Sequence, residues 1–251
     1  MGLKMSFAVL RAAQPDAAFA AGSDHDPNAA ERAARMLLPD CEPVGTATLA
    51  DAMYSDRLMI GVYGASMMIG DPRLFEAEPD DISSVADQIA GLMPTARSVA
   101  GVMQNVVDRV WLRAVEDGRL IREFGAVGES GEVWIDRGER SEVELPFWSR
   151  DRWSELSDEE WETVSVFPFS TEDFGDAVIG DLAFGAPLTR LPQRVYELPV
   201  TVFDSDAAAV QRAEHEAEIA AIIRRIKIKP LDLSARVNRR DGAHRQGSDH
   251  E

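Results

Sequence analysis

The chain has 251 residues, of which 45% are hydrophobic and 28% are charged. This composition is typical of a folded globular protein and excludes a wholly disordered, collagen-like or coiled-coil chain. Acidic residues outnumber basic residues by 44 to 26, for a net charge of -18, so the surface repels phosphate backbones and the charge argues against nucleic-acid binding.

Cysteine usage and hydropathy predict a cytoplasmic protein. Cys41 is the only cysteine, so no internal disulfide can form, and we expect a free buried thiol in a reducing compartment. No apolar run reaches the roughly 18 residues that a membrane span needs. The start from Met1 to Ser6 fits a loose N-myristoylation pattern. A single acyl chain binds membranes only marginally, so the expected compartment does not change.

Apolar periodicity, capping residues and turn residues predict the elements in the first part of the chain. Asp26 and Pro27 form a helix N-cap and a first-turn proline, and Pro39 ends that helix. The predicted elements are a strand over 4–10, a helix over 27–38, strands over 58–63 and 66–69, and a helix over 81–93. Helices and short strands therefore occur together in this region.

The middle third of the chain carries the clearest strand pattern. Val110, Leu112 and Ala114 occupy alternate positions, and Asp117-Gly118 is a hairpin turn sequence. Further strands are predicted over 120–127 and 132–136. Because such alternation is typical of antiparallel strands with one face wet or covered by helices, the predicted fold class is α+β: a mainly antiparallel sheet with helices packed on it.

The last part of the chain is predicted to contain helices, one strand and a tail. Ser157 opens a capping box before Trp161, and Ser170 caps a helix that ends at Gly185. The remaining elements are a strand over 196–203, a long C-terminal helix over 206–229 and a disordered tail over 230–251. The expected organisation is a single α+β domain over 1–205, followed by that helix and that tail.

Five short blocks of sequence occur in a recognisable order. They are Met1-Gly2-Leu3-Lys4, Val106-Val107-Asp108 with its Asp117-Gly118 hairpin, Leu145-Pro146-Phe147-Trp148, Phe167-Pro168-Phe169 and Leu182-Ala183-Phe184-Gly185. In this order they resemble a family of uncharacterised actinobacterial proteins, over residues 1–185. The chain departs from the family pattern at Met5, Arg109 and Ser170. The resemblance implies a domain of unknown function and assigns no activity to any residue.

Aromatic residues are concentrated just after the predicted sheet. The candidate binding residues in this segment are Trp148, Trp153, Trp161, Phe167 and Phe169. Large aromatic side chains anchor ligands and partners in grooves, but they also form hydrophobic cores beneath loops. Both interpretations stay open at this point.

Acidic residues are densest at the end of the predicted meander, at Asp136, Glu139, Glu142 and Glu144. A close pair of buried carboxylates could perform acid–base chemistry or bind a divalent cation, whereas a solvated acidic loop would do neither. Asp24 and Asp26 flank His25, but no second histidine or cysteine completes a metal site, so a loop and helix cap are expected there. No catalytic residue, metal ligand or cofactor is assigned.

The leading functional hypothesis is a non-catalytic cytoplasmic binding or interaction domain with a protein or small-molecule partner. An alternative is a hydrolase or transferase that uses carboxylates, with or without a divalent cation. A third hypothesis is self-association through residues 206–229, since this helix carries a stripe of small residues that allows close approach.

Overall fold

A computed structural model describes residues 4–11, 19, 24–149, 167, 169–205, and 209, 210, 213, 217, 220 and 221. The chain divides into two compact units, Met1–Ser205 and Asp206–Glu251. In the second unit the six described positions are helical. The full extent of the predicted helix over 206–229, the tail over 230–251 and the predicted helix that carries Trp161 lie outside the described residues.

Among the described residues, nine strands form one antiparallel sheet in the order β2-β9-β3-β4-β1-β5-β6-β7-β8. Their bounds are β1 Lys4–Arg11, β2 Glu42–Thr48, β3 Leu58–Tyr63, β4 Ser66–Gly70, β5 Arg97–Gln104, β6 Arg109–Glu116, β7 Arg119–Val127, β8 Glu132–Gly138 and β9 Pro199–Asp204. β6 to β8 form the predicted meander, and β5 extends it by pairing with β6, so that each of the four strands pairs with the next. The α+β fold class with an antiparallel sheet is therefore confirmed.

Helices pack on both faces of this sheet. Their bounds are α1 Pro27–Leu37, α2 Leu49–Met53, α3 Pro72–Glu76, α4 Ile82–Ala90, α5 Thr171–Phe184 and α6 Gln193–Tyr196, with 3-10 turns at Leu145–Trp148 and Leu188–Arg190. α5 covers one face, against β5 and β6. α1, α3 and α4 cover the other face, so the alternating strands bury apolar residues on both sides.

Local sequence signals explain several of these boundaries. The Asp26 side chain accepts a hydrogen bond from the Ala29 N–H and caps α1, as predicted. Ser170 caps α5 in the same way, and Gly185 ends that helix with a left-handed φ of 78°. Asp117 and Gly118 both have positive φ, which matches the right-handed twist of the β6–β7 hairpin.

The structure differs from the sequence predictions at several places, and α2 and α3 are among the elements that were not predicted. β2 was not predicted, because it is an edge strand with polar, exposed residues and no alternation. The last strand begins at Pro199 rather than at residue 196, since 193–196 form α6. α4 ends at Ala90, before the predicted end at residue 93. Among the described residues, none of the helices is both long and apolar enough to cross a membrane.

Candidate functional site

The candidate site is built around an arginine on the α5 face of the sheet. Arg122 follows the side-chain alternation of β7, so it lies on the same face as Phe124, two positions later. Its guanidinium is 1% exposed, and its carbon lies 5.5 Å from the centre of the Phe124 ring. A charge placed among core aromatics needs partners, because desolvation of an unpaired ion is costly.

Two carboxylates supply those partners. Glu144 binds the guanidinium with both oxygens, at 2.8 Å from Nε and 2.5 Å from Nη2. Asp136 accepts from Nη1 at 2.6 Å, and the same atom donates to the backbone carbonyl of Arg137 at 2.9 Å. Burial opposes the charge on Arg122, but the hydrogen bonds and charges of Glu144 and Asp136 outweigh it and raise the guanidinium pKa above its usual value.

Glu144 also connects this ion pair to the aromatic segment. The chain turns at Ser141, whose carbonyl accepts from the Glu144 N–H, and then enters the 3-10 turn Leu145–Trp148. This turn brings the Trp148 indole N–H to 3.2 Å from Glu144 Oε1, the oxygen that Arg122 Nη2 also binds. The predicted aromatic and acidic candidates therefore meet at one carboxylate oxygen.

We name the six rings packed here the aromatic cluster: Phe124, Phe147, Trp148, Phe167, Phe169 and Phe174. Trp148 meets four of the phenylalanines edge to face, the geometry that aromatic pairs favour. Phe169 stacks on Phe174 of α5, with ring centres 4.9 Å apart. The cluster therefore joins β7, the 3-10 turn and the start of α5.

The outer member of the aromatic cluster is covered by a second arginine. The guanidinium carbon of Arg140 lies 4.0 Å from the centre of the Trp148 ring, in cation–π contact. Its Nη2 atom also contacts Asp136 Oδ2 at 3.3 Å, and its side chain remains 38% exposed. Trp148 and Arg140 both reach solvent in part, and we call them the Trp148–Arg140 surface.

The five predicted binding residues divide into three groups. Phe167 and Phe169 are buried members of the hydrophobic core. Trp148 is only partly buried and packs against that core. Trp153 and Trp161 lie outside the described residues. The described candidates thus come together, with Trp148 at the solvent-facing edge.

The four acidic candidates fall into two groups. Asp136 and Glu144 converge on Arg122, as described above. Glu139 and Glu142 are exposed and make no ion pair within the described part of the chain. Arg122 and Glu144 therefore form a buried ion pair, and Asp136 is a second carboxylate at its partly exposed edge.

Two other buried carboxylates are paired in the same manner. Glu123 is fully buried on the opposite sheet face, where Arg113 Nη1 lies 2.7 Å away and the Ser83 hydroxyl donates to it at 2.5 Å. Asp71, 1% exposed, binds Arg73 Nη2 at 2.7 Å. Among the described residues, every buried carboxylate thus has a guanidinium partner.

His25 takes a structural position. Its Nδ1 accepts from the Val62 N–H at 3.2 Å, which leaves Nε2 to carry the proton and donate to Thr201 Oγ1 at 2.8 Å. Both nitrogens are thereby occupied, so the ring has no lone pair left for a metal. Within the described part of the chain, no group of three or more histidine, cysteine, aspartate or glutamate side chains could hold a metal ion.

Sequence reasoning missed Arg122, although a signal for it exists. Arg122 shares the alternation of Phe124 and Ala126, which are both fully buried. A charged residue on the apolar face of a predicted strand indicates a buried ion pair, and Glu144 was already an acidic candidate.

Comparisons with known proteins identify a family. No curated protein and no solved structure matches the chain. A family model described as a family of unknown function, DUF6928, matches residues 5–202. This range contains all but the first residue of β1, the whole meander, α5 and the site described above. The resemblance to an uncharacterised domain is thereby confirmed, and the chain belongs to the DUF6928 family of unknown function.

Proposed function

We propose that the protein is a non-catalytic binding domain that holds a protein or small-molecule partner at the Trp148–Arg140 surface. The observation that carries this proposal is the pairing of every buried carboxylate among the described residues with an arginine. A carboxylate held in an ion pair is a poor general base, because proton uptake would strand the buried guanidinium. The geometry therefore favours binding over acid–base chemistry.

The Trp148–Arg140 surface has the properties of a binding anchor. The Trp148 ring is fixed at its polar end by Glu144 and at its edges by the aromatic cluster. A rigid aromatic side chain loses little conformational entropy on binding, and tryptophan and arginine are enriched among residues that dominate binding energies. Arg140 contributes a half-exposed cation beside the ring, suited to an acidic or aromatic group.

The alternative, a carboxylate-based hydrolase or transferase, would place Asp136 and Glu144 in the reaction. Glu144 would first have to give up both hydrogen bonds to Arg122.

Self-association through residues 206–229 remains a separate prediction, tested by light scattering of the full chain at high concentration. The expected compartment is still the cytoplasm, on the basis of the single cysteine.

The test is thermal unfolding of the full-length chain with divalent cations, nucleotides and common metabolites. A ligand at about 100 times its Kd stabilises the native state by roughly 2.7 kcal/mol, a Tm rise of several degrees for this size. We expect the rise in the wild type and in Arg137→Ala, an exposed neighbour, and a smaller rise in Arg140→Ala.

Two outcomes would contradict the proposal. Equal Tm rises in Arg140→Ala and Arg137→Ala would place the ligand elsewhere. Conversion of any panel compound, followed by NMR of the mixture, would show that the protein is an enzyme. If no compound raises the Tm, the partner is expected to be a protein, and the same two variants are then compared in cross-linking experiments.

A further inference from the structure

Three buried N–H groups on the α4 side of the sheet have no hydrogen-bond acceptor. They are Arg109 Nε, Trp111 Nε1 and Trp134 Nε1, each unpaired within the described part of the chain. Trp111 is fully buried, whereas Arg109 and Trp134 are partly exposed. We name these three side chains the donor cluster.

The members of the donor cluster are neighbours on one sheet face. Trp111 of β6 pairs directly with Gly125 of β7, so both positions face the same side. The Trp134 ring lies over Gly125, where a Cβ atom would come within 2.7 Å of its Nε1. Arg109 precedes Trp111 by two residues, and its guanidinium carbon lies 5.5 Å from the centre of the Trp134 ring. Glycine at position 125 is what leaves room for this arrangement.

An unpaired donor is expensive in a protein interior. A buried N–H without an acceptor has lost its hydrogen bonds to water and gained none in the fold, and native proteins contain few such groups. Three in adjacent side chains therefore mark this face as a candidate hydrogen-bonding site.

The carboxylates nearby do not supply that acceptor. Glu123 lies on the same face of β7, but Arg113 and Ser83 already bind it. Glu78 interacts with Arg109 only through its charge, and burial outweighs it, so the pKa of Arg109 falls below its usual value. The Arg109 guanidinium donates one bond, from Nη2 to the carbonyl of Ala77 at 3.3 Å. A cation that burial penalises in this way is a suitable partner for an incoming anion.

We propose that the donor cluster binds a small carboxylate of the formate or acetate class. Two indole N–H groups and one guanidinium N–H are three donors for the lone pairs of two carboxylate oxygens. The site lies on the face opposite the Trp148–Arg140 surface, so it does not depend on the function proposed above.

The test uses the indole N–H signals of the full-length, 15N-labelled protein, which has five tryptophans. Trp111→Phe and Trp134→Phe assign the two relevant signals, and Trp148→Phe assigns a third. Formate, acetate, phosphate and chloride are titrated at constant ionic strength. We expect the Trp111 and Trp134 signals to move downfield and saturate with formate and acetate. The Trp148 signal should not shift, because the Trp148 indole N–H already donates a hydrogen bond to Glu144.

Arg109→Gln provides the second arm of the test, with Arg119→Gln as the matched control. Arg119 is exposed at the start of β7. We expect a loss of affinity of about tenfold or more in Arg109→Gln, as for removal of one charge-assisted hydrogen bond, and no change in Arg119→Gln.

The wild-type titration decides the proposal even if Arg109→Gln does not fold. Saturable shifts with phosphate but not with formate or acetate would overturn the carboxylate class. Shifts that are linear, or equal with chloride, would overturn the site and leave buried water as the acceptor.

Discussion

Nη2 of Arg122 lies 2.5 Å from Oε1 of Glu144, and neither side chain is exposed to solvent by more than 1%. Removal of Glu144 leaves the buried Arg122 with only the partly exposed Asp136 as a carboxylate partner, so we expect Glu144→Ala to lower the free energy of unfolding by about 3 kcal/mol. Urea unfolding followed by tryptophan fluorescence measures this loss.

The double variant Arg122→Met/Glu144→Leu is the informative companion to that experiment. It removes both charges, so we expect it to be more stable than Glu144→Ala. Glu31→Ala, which breaks the exposed pair with Arg35 on α1, serves as a control and should cost less than about 1 kcal/mol. A Glu144→Ala protein as stable as Glu31→Ala would contradict the importance of the buried pair.

The imidazole of His25 should make stability depend on pH. Burial lowers the pKa of His25 in the folded chain, although the charge of Asp26 acts in the opposite direction. The unfolded chain therefore takes up the proton first, and stability should be full above about pH 6.5 and fall as the pH decreases through that value. Protonation of Nδ1 would also break the bond from the Val62 N–H.

Urea midpoints between pH 5 and 8 measure this effect. His25→Gln removes the titrating group, so its stability should change less over this range than that of the wild type. Parallel pH curves for the two proteins would show that His25 does not carry the effect.

Two strand glycines should respond oppositely to the same substitution. A Cβ at Gly70 of β4 would overlap the carbonyl oxygen of Ala52 in α2, whereas a Cβ at Gly45 of β2 meets nothing within 4 Å. We expect Gly70→Ala to cost about 1–3 kcal/mol through overpacking. Gly45→Ala should be neutral or slightly stabilising, since it restricts the unfolded chain. Equal unfolding midpoints would rule out the close approach of α2 to β4.

The thiol of Cys41 should react slowly in the folded protein. Cys41 is free and buried, as predicted, and burial raises its pKa above the usual value. Reaction with a thiol-specific disulfide reagent at pH 7 should be many-fold slower in buffer than in urea. Rapid labelling of the native protein would mean that the end of α1 opens readily.

Much of the local structure was predictable, because local signals act within a few residues. The Asp26 cap, the Asp117-Gly118 turn and the Ser170 cap all mark real boundaries. The meander of β6, β7 and β8 was predictable for the same reason, since each of these strands pairs with the next.

The remaining features depend on partners that are distant in the sequence. β2 has little apolar pattern, and its place in the sheet comes from pairing with β9. Thr46 of β2, for example, lies opposite Thr201, which is far away in the sequence. At the site, the acidic segment and Trp148 were selected from the sequence, but their common contact with Arg122 was not. Spacing along the chain does not report which carboxylate a buried arginine reaches.

The central position of β1 has a consequence for synthesis. β1 pairs with β4 on one side and β5 on the other, and the partner of Lys4 is Gln104. The ribosome therefore releases this apolar strand well before either neighbour exists. Pairing over such distances is slow, and an unpaired strand is prone to aggregate. Seven of the eight residues of β1 are buried in the fold, so they stay unprotected until β4 and then β5 have been synthesised.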